Sequence, residues 1–217
     1  ANTQPFCRSF AGRDFLLAHS GSLSRHLPVS KDFLFEPVGS TDSELLFCTL
    51  LAYLHQQHKS SLGDCEPSNL LEWLHSLNEY GNLTIAVTDG RDLLVYADRH
   101  TEGAVHLGQI QPPYERIAFG DADVFVDLTR RGAKSRKGIV IASNPLEGES
   151  MQWRKIEPGS LLLIRQGALL LEMQPETKVD DQNDQIGIKP QKGGRRVQKR
   201  PEKAAVQRYS VLHRTSY

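Results

Sequence analysis

Leu83-Thr-Ile-Ala-Val-Thr-Asp-Gly-Arg-Asp-Leu-Leu-Val-Tyr-Ala97 decides the fold class. Two strand-like runs, 83–88 and 93–97, flank Asp89-Gly90, a pair suited to a tight hairpin because glycine accepts the positive φ the turn needs. Upstream the periodicity is helical. Residues 44–58 place Leu46, Leu50, Leu51 and Leu54 on one face, and residues 67–77 carry Leu70, Leu71, Trp73, Leu74 and Leu77 at similar spacing. Downstream the strands resume at Val124-Phe-Val126, Gly138-Ile-Val-Ile-Ala142 and Leu161-Leu-Leu-Ile164, and Gln166-Gly167 turns the last back through Ala168-Leu-Leu-Leu171. Near the start, Phe15-Leu-Leu-Ala-His19 is a short apolar run that should stop at Ser20-Gly21. Two helices followed by hairpin strands indicate an α+β domain of mostly antiparallel sheets. A doubly wound sheet would alternate strand and helix instead.

Composition excludes several classes. Lys+Arg and Asp+Glu both number 26 in 217 residues, so a globally basic nucleic-acid binder is ruled out. Neutrality conceals an asymmetry: residues 1–174 carry five more acidic than basic side chains, and 175–217 reverse that balance. The second segment is poor in large apolar residues and is expected to form a disordered basic tail. Its cluster of Lys192, Arg195, Arg196, Lys199, Arg200 and Lys203 is where nucleic acid or an acidic partner would be met, if anywhere. No apolar run reaches the ~20 residues of a membrane-spanning helix, so no membrane partner is expected. Cys7, Cys48 and Cys65 are widely spaced and odd in number, which argues against a disulfide scaffold or zinc ribbon and fits a reducing, cytoplasmic setting.

Thr41-Asp-Ser-Glu44 precedes the first helical run and reads as a capping box. The Thr41 hydroxyl should accept the Glu44 amide, the Glu44 carboxylate should reach back, and Asp42 complements the positive helix end. His55 and His58 stand three apart, as two metal ligands could, but a solvated helix end explains them. Cys7 lacks a free α-amine beside it, and Ala18-His-Ser-Gly-Ser22 lacks the first glycine of a serine-hydrolase elbow, so neither suggests a nucleophile.

Taken in order, Asn2-Thr-Gln-Pro-Phe6, Phe15-Leu-Leu-Ala-His-Ser-Gly21 and Pro37-Val-Gly-Ser-Thr-Asp-Ser-Glu44, with Leu83 to Arg91 and Ile139 to Ser160, resemble the class II glutamine amidotransferases. The stand-alone members related to the γ-glutamyl-peptide-degrading amidotransferase subunit look most similar. The resemblance covers roughly residues 1–173. It implies an N-terminal-nucleophile hydrolase fold, an αββα sandwich whose sheets are mostly antiparallel, as an incomplete domain over 1–174 followed by the 175–217 tail. It also implies hydrolysis of the side-chain amide of glutamine, or of a γ-glutamyl amide, through a cysteine thioester, with no metal or organic cofactor. The partner would be that small molecule, with a synthetase or peptidase as protein partner.

By motif, the resemblance puts Gly21 and Ser20 at the oxyanion-hole positions and Asp42 on the substrate ammonium, with His19 beside it in the substrate site. Three departures accompany it. Ser20 stands where the family has asparagine, and Gln4 where it usually has histidine. The family's nucleophilic cysteine and substrate-carboxylate arginine would precede Ala1, so the chain reads as a fragment that is inactive as written. The competing expectation is a non-catalytic pseudo-amidotransferase that binds a γ-glutamyl ligand or a protein.

Overall fold

The computed structural model describes residues 2–24, 27, 35–100, 104–112, 116–118, 125–127, 137–146 and 151–175. The expected tail from residue 176 onward lies outside them. Strands β1 (Phe6–Phe10) and β2 (Arg13–Leu23) open the chain. Helices α1 (Asp42–Gln56) and α2 (Pro67–Asn78) follow, then β3 (Gly81–Thr88) and β4 (Asp92–Tyr96). The remaining strands are β5 (His106–Ile110), β6 (Arg116–Ala118), β7 (Phe125–Asp127), β8 (Gly138–Ala142), β9 (Gln152–Lys155), β10 (Leu161–Arg165) and β11 (Ala168–Met173).

A six-stranded sheet runs β1-β2-β3-β4-β10-β11, a three-stranded sheet β8-β5-β9, and β6 pairs with β7. Every described pairing is antiparallel. Both anticipated hairpins form, β3 to β4 around Asp89-Gly90 and β10 to β11 around Gln166-Gly167, with Gly90 and Gly167 at positive φ. The α+β class and its antiparallel sheets are therefore as the sequence indicates.

Strand alternation sorts the large sheet into two faces. Leu17, Leu83, Ile85, Val87, Leu94 and Tyr96 face the helices and share one apolar core with Leu46, Leu50, Leu70 and Leu74. Val95, Leu162 and Ile164 point the other way and pack with Leu107 and Ile156, beneath the three-stranded sheet. Among the described residues this makes three layers: helices, large sheet, small sheet. The second core gathers at β4 and β10. At the far end of β2, Ala18, Ser20 and Ser22 are exposed on the face away from the helices, so that corner of the sheet is left open.

Two expectations change here. Strand β2 does not stop at Ser20-Gly21 but continues to Leu23, paired with β3 as far as Leu23 opposite Gly81. Gly21 is extended at φ +144°, which glycine adopts and other residues rarely do, so the ladder passes through it where a turn was expected. Helix α1 ends at Gln56, and His58 follows at φ +54°, so the two histidines do not share a helix face. Among the described residues no cluster of three or more metal-ligating side chains occurs, and no helix is long and apolar enough to cross a membrane.

Candidate active site

The site is built on the edge of β2. Strand β1 covers that edge only as far as Phe6 opposite Leu17. Beyond it, side chains take the place of a strand. The His19 N–H donates to Gln4 Oε1 at 2.5 Å, and the Leu23 N–H donates to Asp42 Oδ2 at 2.6 Å. Backbone N–H groups of alternate residues point to the same strand edge. The Gly21 N–H therefore lies on that edge between the two, flanked by the Gln4 amide and the Asp42 carboxylate.

Asp42 owes its place to the start of α1. Thr41 is the N-cap, extended at φ −83° and ψ 145°, and its hydroxyl accepts the Glu44 N–H at 3.2 Å. That half of the capping box forms as expected. The other half does not, because the Glu44 carboxylate passes over the N-cap to accept from Gly39 N–H at 2.6 Å and Val38 N–H at 3.0 Å, and from the Arg8 guanidinium at 2.6 Å. A nearby cation and two further amides outcompete the single N-cap amide. The result clamps the segment before α1 against β1. Burial pushes the Glu44 carboxyl upward, but those two amides and Arg8 outweigh it and hold the group below its usual range.

A group with a depressed folded pKa adds stability above its unfolded value and loses it as pH falls through the folded value. Glu44→Gln is thus expected to cost about 2 kcal/mol at pH 7. In denaturant titrations the gap from the unmutated protein should narrow as pH drops below about 4.5. A gap that does not vary with pH would contradict the role assigned to the charge.

Three of the sequence motifs meet at this corner. Asn2 Oδ1 accepts the Ser40 N–H at 3.2 Å, which ties the first segment to the loop before α1. Gln4 bridges β2 and α1, accepting from His19 and donating through Nε2 to Ser43 Oγ at 3.3 Å. His19 is 7% exposed, with Nδ1 2.9 Å from Ser43 Oγ and Nε2 3.2 Å from the Asn82 carbonyl. Both ring nitrogens thus face protein partners. Ser20 projects from the opposite face of β2, where it is exposed.

The other two motifs serve the fold. Asp89 caps the β3–β4 turn, accepting from the Ser61 hydroxyl, the Leu62 N–H and the Asp92 N–H. That turn lies at the opposite end of β3 from Gly81, roughly 23 Å along the strand. Gly159 donates to the Ala97 carbonyl and so fastens the turn before β10.

No described cysteine adjoins Gly21. Cys7 is exposed on β1 opposite Leu16, about 13 Å along the strand from the level of Ser20. Cys48 is buried in α1, where desolvation pushes its thiol up, and burial raises Cys65 to about 11. Neither of these two is a ready thiolate. Sequence reasoning missed Ser43 and the clamp of Arg8 on Glu44, because their importance lies in contacts 24 and 36 residues apart in the chain.

The chain is similar to known proteins in sequence and in fold. The chain is 30% identical over 173 residues to an uncharacterized protein of Methanocaldococcus jannaschii, aligning 78% of this chain with 46% of that one. It is 30% identical over 165 residues to YafJ of Escherichia coli, provisionally named a glutamine amidotransferase, aligning 75% of this chain with 62% of that one. A crystal structure from Pseudomonas aeruginosa, also assigned provisionally as a glutamine amidotransferase, superposes with a TM-score of 0.63 at 26% identity, covering 78% of this chain and 64% of that chain. The chain thus spans about half to two thirds of the length of these relatives. Residues 1–187 match the family described as class-II glutamine amidotransferases. Its mixed fold with antiparallel sheets agrees, and the chain belongs to the class-II glutamine amidotransferases.

Proposed function

We propose that the protein carrying this domain hydrolyses the side-chain amide of glutamine, or of a γ-glutamyl compound, at the free edge of β2. The observation that supports this reading is the Gly21 N–H on an edge whose next donor, Leu23 N–H, is held by Asp42. In the proposed reaction a cysteine thiolate, supplied upstream of Ala1, attacks the amide carbon. The carbonyl oxygen gains negative charge, and the Gly21 N–H with the Ser20 hydroxyl donates to it. The C–N bond then breaks, ammonia departs with a proton from the cysteine α-ammonium, and water hydrolyses the thioester to glutamate. Asp42 accepts from the substrate ammonium, with His19 supporting it from behind. The domain is read as 1–174, with 175–217 a basic tail outside the reaction.

Ser20 motivates a second reading, a pseudo-amidotransferase that binds a γ-glutamyl ligand or protein without turnover. A serine hydroxyl is shorter and offers one donor, and removing one oxyanion donor lowers rates by about 10²–10³ in measured enzymes. The test is glutamate release from glutamine by the protein expressed with its upstream codons. Turnover supports the enzyme, whereas binding without turnover favours the second reading. Ser20→Asn is expected to raise kcat by at least roughly 10-fold. An unchanged rate would show that another donor already fills the position.

A further inference from the structure

We propose that Ser43 is a positioning residue for Asp42, and that its hydroxyl passes the protonation state of His19 to that carboxylate. The inference rests on the reading of Asp42 as the ammonium site, but its central test needs no ligand. The His19 Nε2 sits 3.2 Å from the Asn82 carbonyl. A carbonyl only accepts, so Nε2 carries a hydrogen. In the neutral ring Nδ1 is then an acceptor, and the Ser43 O–H, 2.9 Å away, donates to it while Ser43 Oγ accepts from Gln4. When the ring gains a second proton, Nδ1 becomes a donor and Ser43 Oγ must accept from it. The hydroxyl hydrogen then has to turn elsewhere, and Asp42 Oδ1 lies 3.4 Å from Ser43 Oγ.

One rotor therefore has two settings. With His19 neutral, Asp42 Oδ1 accepts the Ser43 N–H, at 2.8 Å, and keeps its further lone-pair capacity clear of the hydroxyl hydrogen. With His19 charged, the same oxygen also receives the hydroxyl. Competition from that hydrogen bond weakens the carboxylate as an acceptor for an ammonium. The sign is fixed: binding is weaker with the His19 ring charged than with it neutral. The ionisable groups on the elements packed against β2 are Arg8 and Cys7 on β1, and Asp42, Glu44, Cys48, Tyr53 and His55 on α1, while β3 carries none. Glu44 is paired with Arg8, and among the described residues Asp42 is the carboxylate that the Ser43 hydroxyl can reach.

The experiment follows the Asp42 carboxyl carbon and the His19 ring by NMR in the full chain between pH 4 and 9, with Asp42→Asn and His19→Gln assigning the signals. The Asp42 signal is expected to show an inflection that coincides with the change in the His19 ring signal. That inflection should vanish in Ser43→Ala and persist in Ser43→Thr. An Asp42 signal that does not respond with the His19 ring in the unmutated protein overturns the proposal without any variant, and so does a response that survives in Ser43→Ala, since charge alone would then explain it. Calorimetry with L-glutamine separates the underlying reading. Affinity should fall about fivefold as the His19 ring becomes charged, the equivalent of one ordinary hydrogen bond, with no such step in Ser43→Ala. Coupled signals without glutamine binding would leave the Ser43 link standing and remove the glutamine reading.

Discussion

Gly21→Ala should lower stability by about 3 kcal/mol or more, an expected drop in the unfolding midpoint on the order of 10 °C for a domain of this size. Two costs combine. The residue holds φ +144°, and a Cβ there would stand 2.1 Å from the Asn82 carbonyl oxygen and 3.0 Å from His19 Nε2. The first contact is backbone in the partner strand, so relief requires β2 and β3 to separate where Gly21 pairs with Leu83 and Ser22 with Asn82. Gly81 has the mirrored problem, with Ser22 O at 2.2 Å from its added Cβ. Gly90 is the control. It also has positive φ, at +80°, but nothing lies within 4 Å of an added Cβ, so Gly90→Ala should cost only about 1 kcal/mol of backbone strain. Thermal denaturation of the two variants side by side decides the matter. Equal midpoints would mean that the close approach of β2 to β3 is not what Gly21 provides.

On the proposed reading, Asp42→Asn should weaken glutamine binding by about 10²-fold, read as a calorimetric Kd. Charge-assisted hydrogen bonds to a carboxylate contribute roughly 1.5–3 kcal/mol, and asparagine removes the charge while retaining an oxygen for the Leu23 N–H. The fold should therefore survive, with little change in unfolding midpoint. Asp42→Ala removes that acceptor as well, and a further loss of about 1 kcal/mol in stability is expected on top of the binding defect. An asparagine variant that binds glutamine as tightly as the unmutated protein would refute the role of this carboxylate. A variant that loses stability but not affinity would reduce Asp42 to a strand-edge cap.

Much of the layered architecture was legible because burial repeats with a period. The leucines of α1 and α2 recur at helical spacing, and Leu83, Ile85 and Val87 alternate as a half-buried strand must. Turn glycines at 90 and 167 were equally readable, since their requirement is local. The small sheet was harder. Its central strand β5, His-Leu-Gly-Gln-Ile, is short and lacks a clean polar–apolar alternation, and Gly108 is there because Met151 and Trp153 occupy the space a side chain would need. Such a strand is specified by its neighbours. Gly21 misled for a related reason. A Ser-Gly pair ordinarily marks a turn, yet here the same conformational freedom lets two strands approach closely.

The candidate site divides in the same way. Sequence alone supplied the order of the motifs, the N-cap at Thr41, and Asp42 at the first turn of a helix, all of which depend on residues within a few positions of one another. Only the folded chain decided that Glu44 serves Arg8 and the loop amides, that Gln4 and Asp42 replace a missing neighbour along β2, and that Ser43 stands between a buried imidazole and a carboxylate. Those choices are settled by which polar groups are left without a partner once the layers pack. That competition is fought between segments tens of residues apart, and no local pattern records its outcome.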